Sequence, residues 1–138
     1  MKKRILLFVF TLALISCSKD LDDKAEVSVS DYYGKWVQYV EAEYADDPSS
    51  KQFSYQFNKD NTFTKMRKYD NSTTVLSGTF EITKDENGTR FVLTYNEQNF
   101  LISNCTGGLT ESFTLDNAGY LNDNASMCDR YGKYEKAK

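Results

Sequence analysis

Phe53-Ser54-Tyr55-Gln56-Phe57, followed after one residue by Lys59-Asp60-Asn61, sets the pattern of the whole chain. Rings at every second position put Phe53, Tyr55 and Phe57 on one side of an extended strand and Ser54 and Gln56 on the other. The Asp-Asn pair behind them is turn chemistry. Working outward, Leu76, Gly78, Phe80 and Ile82 make a second row, opposed by Ser77, Thr79 and Glu81. Phe91, Leu93 and Tyr95 make a third, and Leu109, Phe113 and Leu115 a fourth that is interrupted by Glu111. Asp70-Asn71-Ser72, Glu86-Asn87-Gly88, Asn96-Glu97-Gln98 and Asp116-Asn117-Ala118-Gly119 punctuate these rows. Asn87-Gly88 is the firmest hairpin signal, because both residues accept the positive φ angles of a tight turn. No stretch sustains a helical period. The pattern predicts an all-β domain of about eight strands, at 34–44, 52–58, 62–69, 73–83, 90–96, 98–104, 108–115 and 129–136. Antiparallel strands joined by short hairpins close into a small up-and-down barrel, whereas the rival two-sheet sandwich needs longer crossovers.

The N-terminus reads differently. Met1-Lys2-Lys3-Arg4 is a basic start, Ile5 to Ile15 an apolar run broken by Thr11, and Leu14-Ile15-Ser16-Cys17 a small-residue cleavage site that ends in a thiol. The run is about 11 residues, short of the roughly 20 that a spanning helix needs, and so suits a removed signal peptide. Leu14 to Cys17 resembles the bacterial lipobox, which implies acylation of Cys17 and firm attachment to a lipid bilayer through several acyl chains such as palmitate. Ser18-Lys19-Asp20, with Asp22 and Asp23, is similar to the acidic motif that follows the cysteine in Bacteroidota-type lipoproteins and is linked to display on the outer face. The resulting organisation is a signal peptide at 1–16, the lipidated Cys17 with a flexible polar tether at 17–31, and a single domain at 32–138. The expected location is the bacterial outer membrane, lipid-anchored, on its periplasmic or its exposed side.

Composition narrows the rest. Removal of residues 1–16 leaves 122 of the 138 residues and 14 of the 17 basic side chains against 20 acidic ones, a formal charge of −6. Nucleic acid is not an expected partner, since its phosphates need clustered Lys and Arg. Lys65, Arg67 and Lys68 read as a solvated strand face. With Cys17 consumed by lipid, Cys105 and Cys128 remain as a pair expected to form a disulfide in an oxidising compartment. The chain has no histidine, which removes Ser-His-Asp and Cys-His hydrolases and most zinc enzymes. Asp85-Glu86-Asn87-Gly88 and Asn122-Asp123-Asn124 lack the spacing of a calcium loop and read as turns. The Asn-x-Ser/Thr triplets at Asn71, Asn87, Asn104 and Asn124 also read as turn residues. No metal or other cofactor is expected.

Tyr33-Gly34-Lys35-Trp36, then Tyr55 to Phe63, then Ser77-Gly78-Thr79-Phe80-Glu81-Ile82 resemble the lipocalin-like domain of small Bacteroidota lipoproteins, over nearly all of residues 32–136. The resemblance implies that Trp36 closes one barrel end and that Arg130 supplies a cation against it. It also implies a ligand-binding role for Trp36, Tyr55, Phe57, Phe80, Phe91, Leu93 and Tyr95, although in a small barrel inward aromatic side chains usually fill the space that a ligand would need. The first expectation is therefore a membrane-anchored, non-enzymatic lipoprotein holding a small apolar ligand in its barrel. The alternative is a protein-interaction lipoprotein, an inhibitor or accessory subunit, that uses the loops of a filled barrel. Small or polar inward groups such as Gly78, Gln38 and Glu111 favour a pocket; a packed aromatic interior favours the alternative. Catalysis is not expected: Glu41 and Glu43 share one face of the predicted first strand, and exposed paired acids on an edge strand are ordinarily just solvated.

Overall fold

A computed structural model describes residues 32–47, 50–128 and 132–138. The strands are β1 (Gly34–Gln38), β2 (Phe53–Phe57), β3 (Thr62–Tyr69), β4 (Ser72–Asp85), β5 (Gly88–Tyr95), β6 (Thr110–Leu115), β7 (Leu121–Asp123) and β8 (Lys133–Lys136). Each pairs antiparallel with the next, and β1 pairs back onto β8 with Trp36 opposite Lys136, so the sheet closes into a barrel. Closure leaves no unpaired edge to template association with another chain.

The expected all-β barrel is what forms, but two of its elements change place. The segment 98–104, predicted as a strand, is part of the β5–β6 loop. Its polar side chains satisfy its backbone locally instead of through a ladder. The Asn99 carboxamide accepts from the Leu101 N–H (3.0 Å), and Asn104 donates to the carbonyls of Gly108 (2.7 Å) and Thr110 (2.9 Å) while accepting from the Gly107 N–H (2.6 Å). The missing strand is supplied by β7 inside the predicted loop from Leu115 to Asp129, so Asn122-Asp123 is a strand and not a turn. The first strand also ends sooner than predicted, at Gln38. A 3-10 turn at Ala42–Tyr44 follows, with Glu41 and Glu43 exposed beside and within it, so they do not share a strand face.

The remaining turns fall where the sequence places them. Asn61 and Asp70 take left-handed backbone (φ 62° and 53°), and of the Asn87-Gly88 pair only Gly88 does (φ 117°). Asn87 donates its N–H to the Asp85 carboxylate (2.8 Å).

The interior holds the apolar rows. Phe57 lies 4.8 Å from Phe80, 5.4 Å from Phe91 and 6.1 Å from Tyr55, ring centre to ring centre, and Tyr55 lies 4.9 Å from Tyr134. Burying each such ring is worth about 1.5–3 kcal/mol. Gly78 is required by close approach: a Cβ there would sit 2.0 Å from the Thr94 carbonyl oxygen and 2.9 Å from the Phe63 ring, which occupies the space a side chain would need. Trp36 is buried, and its indole N–H donates to the Tyr32 carbonyl at 3.0 Å.

The barrel has two unlike ends. At the near end the chain enters β1, and the connections are the short turns 58–61, 86–87 and 116–120. At the far end lie the longer connections, described over 39–47 and 50–52, over 96–109, and over 124–128 and 132, together with the tight Asp70-Asn71 hairpin.

Candidate functional site

The buried charges among the described residues, Lys65, Glu111 and Asp123, gather just inside the far end. Strand β3 sends Phe63 and Lys65 inward on alternate positions, and β6 does the same with Glu111 and Phe113. Lys65, expected on a solvated face, is only 3% exposed. The period of two that buries Phe63 buries Lys65 with it, and the cost is offset by a partner. Its ammonium donates to Glu111 Oε1 at 2.8 Å and to the Leu101 carbonyl at 2.6 Å, and it lies 5.2 Å from the centre of the Tyr55 ring. The other two members of the expected face differ from it. Arg67 is half-buried and stacks 4.9 Å from the Tyr69 ring, while Lys68 is exposed.

Glu111 is the hub of this network. Besides Lys65 it accepts from the Tyr55 hydroxyl (3.1 Å), the Tyr95 hydroxyl and the Ser103 backbone N–H (3.1 Å). Burial first, and then the Glu111 charge, push the Tyr55, Tyr95 and Tyr134 phenols well above their ordinary range, so all three remain neutral and two of them serve as donors. What these groups accomplish together is to fasten a loop. Leu101 and Ile102 are buried against the core, the Leu101 carbonyl and Ser103 N–H are held by the ion pair, and the loop is tied two residues later by the Cys105–Cys128 disulfide. The expected disulfide is thus formed, with the two Cα atoms 5.7 Å apart. Segment 101–103 is a stopper in the far mouth of the barrel.

Trp36, Tyr55, Phe57, Phe80, Phe91, Leu93 and Tyr95, named from the sequence as ligand-binding, are brought together, each no more than 3% exposed and packed on the others. Cys17 and Arg130 lie outside the described residues. No group of three or more His, Cys, Asp or Glu side chains that could hold a metal occurs among the described residues, and no helix among them is long and apolar enough to cross a membrane.

Two clefts open on the outside at the far end. One, of about 340 Å³, runs beside the disulfide between Arg90 and Asn124. The other, of about 560 Å³, lies between the 39–52 loop and the β7–β8 junction, where Tyr39, Tyr44, Asp47, Asp123 and Lys133 line it. Gln38 braces this wall, its side-chain oxygen accepting from the backbone of Gln52 (3.1 Å) and Phe53 (3.2 Å). Lys133 rests 4.0 Å from the Tyr120 ring centre and 5.0 Å from that of Tyr39. Burial holds the Asp123 carboxyl above the ordinary carboxylate range and nearby Glu111 adds to this, against the pull of the neighbouring Ser103 hydroxyl, of the hydrogen bond it accepts from the Ala125 N–H (2.8 Å) and of the Lys65 charge.

Among the described residues, large exposed apolar side chains also gather toward this end. The large apolar side chains left exposed among the described residues are Tyr44, Tyr69, Val75, Phe100, Leu109 and Met127. Five of them lie in the far-end loops or at a strand terminus beside them, and Val75 is three residues into β4 from the Asp70-Asn71 hairpin. At the near end the turns carry Lys59, Asp60, Glu86, Asp116 and Asn117 instead.

Compared with protein-family profiles, curated proteins and solved structures, the chain matches none. A barrel of this kind serves many purposes, so the functional reading rests on the site itself. Sequence reasoning missed Lys65 and Asp123. The signal for Lys65 was available in its shared parity with Phe63; for Asp123 it was hidden by flanking asparagines that read as a turn.

Proposed function

We propose that the protein is a non-enzymatic lipoprotein of the bacterial outer membrane, held by an acylated Cys17, whose filled lipocalin-like barrel presents its far-end loops to a protein partner. The single observation that carries this reading is the partition of apolar side chains. The interior rings pack on one another with the stopper at 101–103 above them, while Tyr44, Tyr69, Phe100, Leu109 and Met127 are left exposed around the mouth opposite the point where the tether joins β1. Exposed apolar residues gathered on one face of a small domain mark an interaction surface more often than chance decoration. A tether at the near end leaves that face clear of the anchor.

The test is native mass spectrometry of the acylated protein purified from its own host in mild detergent. The expected result is the mass of the lipidated chain alone. A noncovalent adduct of lipid size, retained under gentle activation and lost on unfolding, would replace the interaction reading with that of a ligand carrier. Labelled palmitate is expected to enter the wild-type chain and not the Cys17→Ser variant; uptake by both would remove the anchor from the proposal.

A further inference from the structure

We propose that the 560 Å³ cleft at the far end, with the acidic loop that walls it, docks a basic, apolar segment of a protein partner by taking a Lys or Arg side chain between Tyr39, Tyr44 and Asp47. This deepens the interaction reading above and rests on it.

Three observations converge on a cationic visitor. The cleft wall is aromatic, with half-buried Tyr39 engaged by Lys133 and Tyr120 and with Tyr44, 57% exposed, left to meet a cation. Lys133 already lies against the Tyr39 and Tyr120 rings at one side of the cleft, which shows that this surface accommodates an ammonium on its aromatic faces. The loop beside the cleft is also acidic: residues 39–52 carry Glu41, Glu43, Asp46 and Asp47 against Lys51 alone, all of them exposed, and of these Asp47 lines the cleft itself while the other acids surround its entrance. An arginine or lysine is therefore steered in by charge, and its stem lies on tyrosine faces while its head meets carboxylate, the combination that makes Arg an interface anchor.

The same charges argue against other occupants. An anionic bilayer surface would be repelled by this loop, since membrane attachment by surface charge needs Lys and Arg. A two-fold contact between copies would set the identical acidic loop against itself.

The experiment places the photocrosslinking residue p-benzoylphenylalanine in the full chain, in its own host, at one position per strain: in place of Tyr44 or Met127 at the far end, or in place of Asn117 at the near end. The result expected is a discrete adduct with one non-self polypeptide from the two far-end positions and not from the third. The crosslinked partner peptide, sequenced, carries net positive charge. Adding Glu41→Lys, Glu43→Lys and Asp46→Lys lowers the adduct yield at least tenfold while the circular dichroism spectrum is unchanged, all three side chains being exposed. Adducts with lipid, with a second copy of the chain or with an acidic or neutral peptide would overturn the inference, as would no adduct at all, equal yield from the near end, or indifference to the charge reversal. The interaction reading stands or falls separately. It survives a far-end adduct with a non-basic protein, and it falls if the purified protein carries a lipid-sized ligand.

Discussion

Replacing Lys65 by methionine keeps an unbranched side chain one atom shorter and removes its charge from a site only 3% exposed. The Glu111 carboxylate then loses its counter-charge at 2.8 Å and keeps three neutral donors, from Tyr55, Tyr95 and the Ser103 backbone, while the Leu101 carbonyl loses its donor at 2.6 Å. Breaking a buried pair by removing one partner costs about 3–5 kcal/mol, because the surviving charge is left uncompensated. Against the roughly 5–15 kcal/mol that holds a domain of this size together, the loss takes about a fifth of the total or more. In a thermal melt it corresponds to a fall of at least about 12 °C, at roughly 4 °C for each kcal/mol. Adding Glu111→Gln to Lys65→Met removes the stranded charge while leaving one oxygen for the Tyr55 hydroxyl and the Ser103 N–H and an amide that can donate to the Tyr95 oxygen. The double variant is therefore expected to be more stable than Lys65→Met alone by about 1–2 kcal/mol, a non-additive outcome that only direct coupling produces. Urea unfolding at pH 7, followed by far-ultraviolet circular dichroism on the wild type, both single variants and the double variant, measures all four corners of the cycle. A cost below about 1 kcal/mol for Lys65→Met, the value for a solvated surface pair, would refute the placement of this lysine inside the barrel.

Three further outcomes follow from the same geometry. Replacing Cys105 and Cys128 together by alanine should cost about 3 kcal/mol, since the bond closes a segment of 23 residues, and should expose the 96–109 loop to limited proteolysis before the barrel itself; cleavage as slow as in the wild type would show that the ion pair holds the stopper unaided. The raised phenols of Tyr55, Tyr95 and Tyr134 stay protonated in the folded chain while their unfolded counterparts ionise near pH 10, so the folded state binds more protons and stability is full below pH 10 and falls above it. Each of these tyrosines contributes up to about 1.4 kcal/mol of loss per pH unit, and urea midpoints that stay level from pH 9 to pH 11.5 would count against their burial. Gly78→Ala forces a methyl group to 2.0 Å from the Thr94 oxygen, so β4 and β5 must part; a loss of about 3 kcal/mol or more is expected, and a variant as stable as the wild type would contradict the close approach.

Much of the fold was legible because alternation is a local property. The rows at Phe53 to Phe57, Leu76 to Ile82 and Phe91 to Tyr95 became β2, β4 and β5 with their inward faces as read. What misled was apolar content without a ladder. Phe100, Leu101 and Ile102 look like strand residues, yet the asparagines at 99 and 104 capture the backbone, and two of the three side chains are buried as the stopper and not as part of the sheet. The opposite error hid β7, where Asn122 and Asp123 look like a turn; its three residues are held between β6 and β8 by closure of the ring, a constraint that no short window of sequence carries. The far-end site was illegible for the same reason. Glu111 could be identified as an inward polar group from its own strand, but its partner Lys65 lies 46 positions away, and the cleft is assembled from a loop and a junction that meet only once the barrel has closed.

Closure has one more consequence, for how the molecule can be re-plumbed. Because β8 lies against β1, with the Ala137 N–H donating to the Lys35 carbonyl at 2.8 Å, the ring of strands has no intrinsic beginning. A short peptide from Lys138 to Tyr32 would make the chain circular while keeping that buried ring, and reopening it between Asp70 and Asn71 would move any N-terminal attachment to the opposite mouth without breaking a strand. If the barrel is anchored through its N-terminal segment as proposed above, the change would turn the whole domain over, with its greasy rim pressed toward the membrane and its hydrophilic hairpins held out to the surroundings.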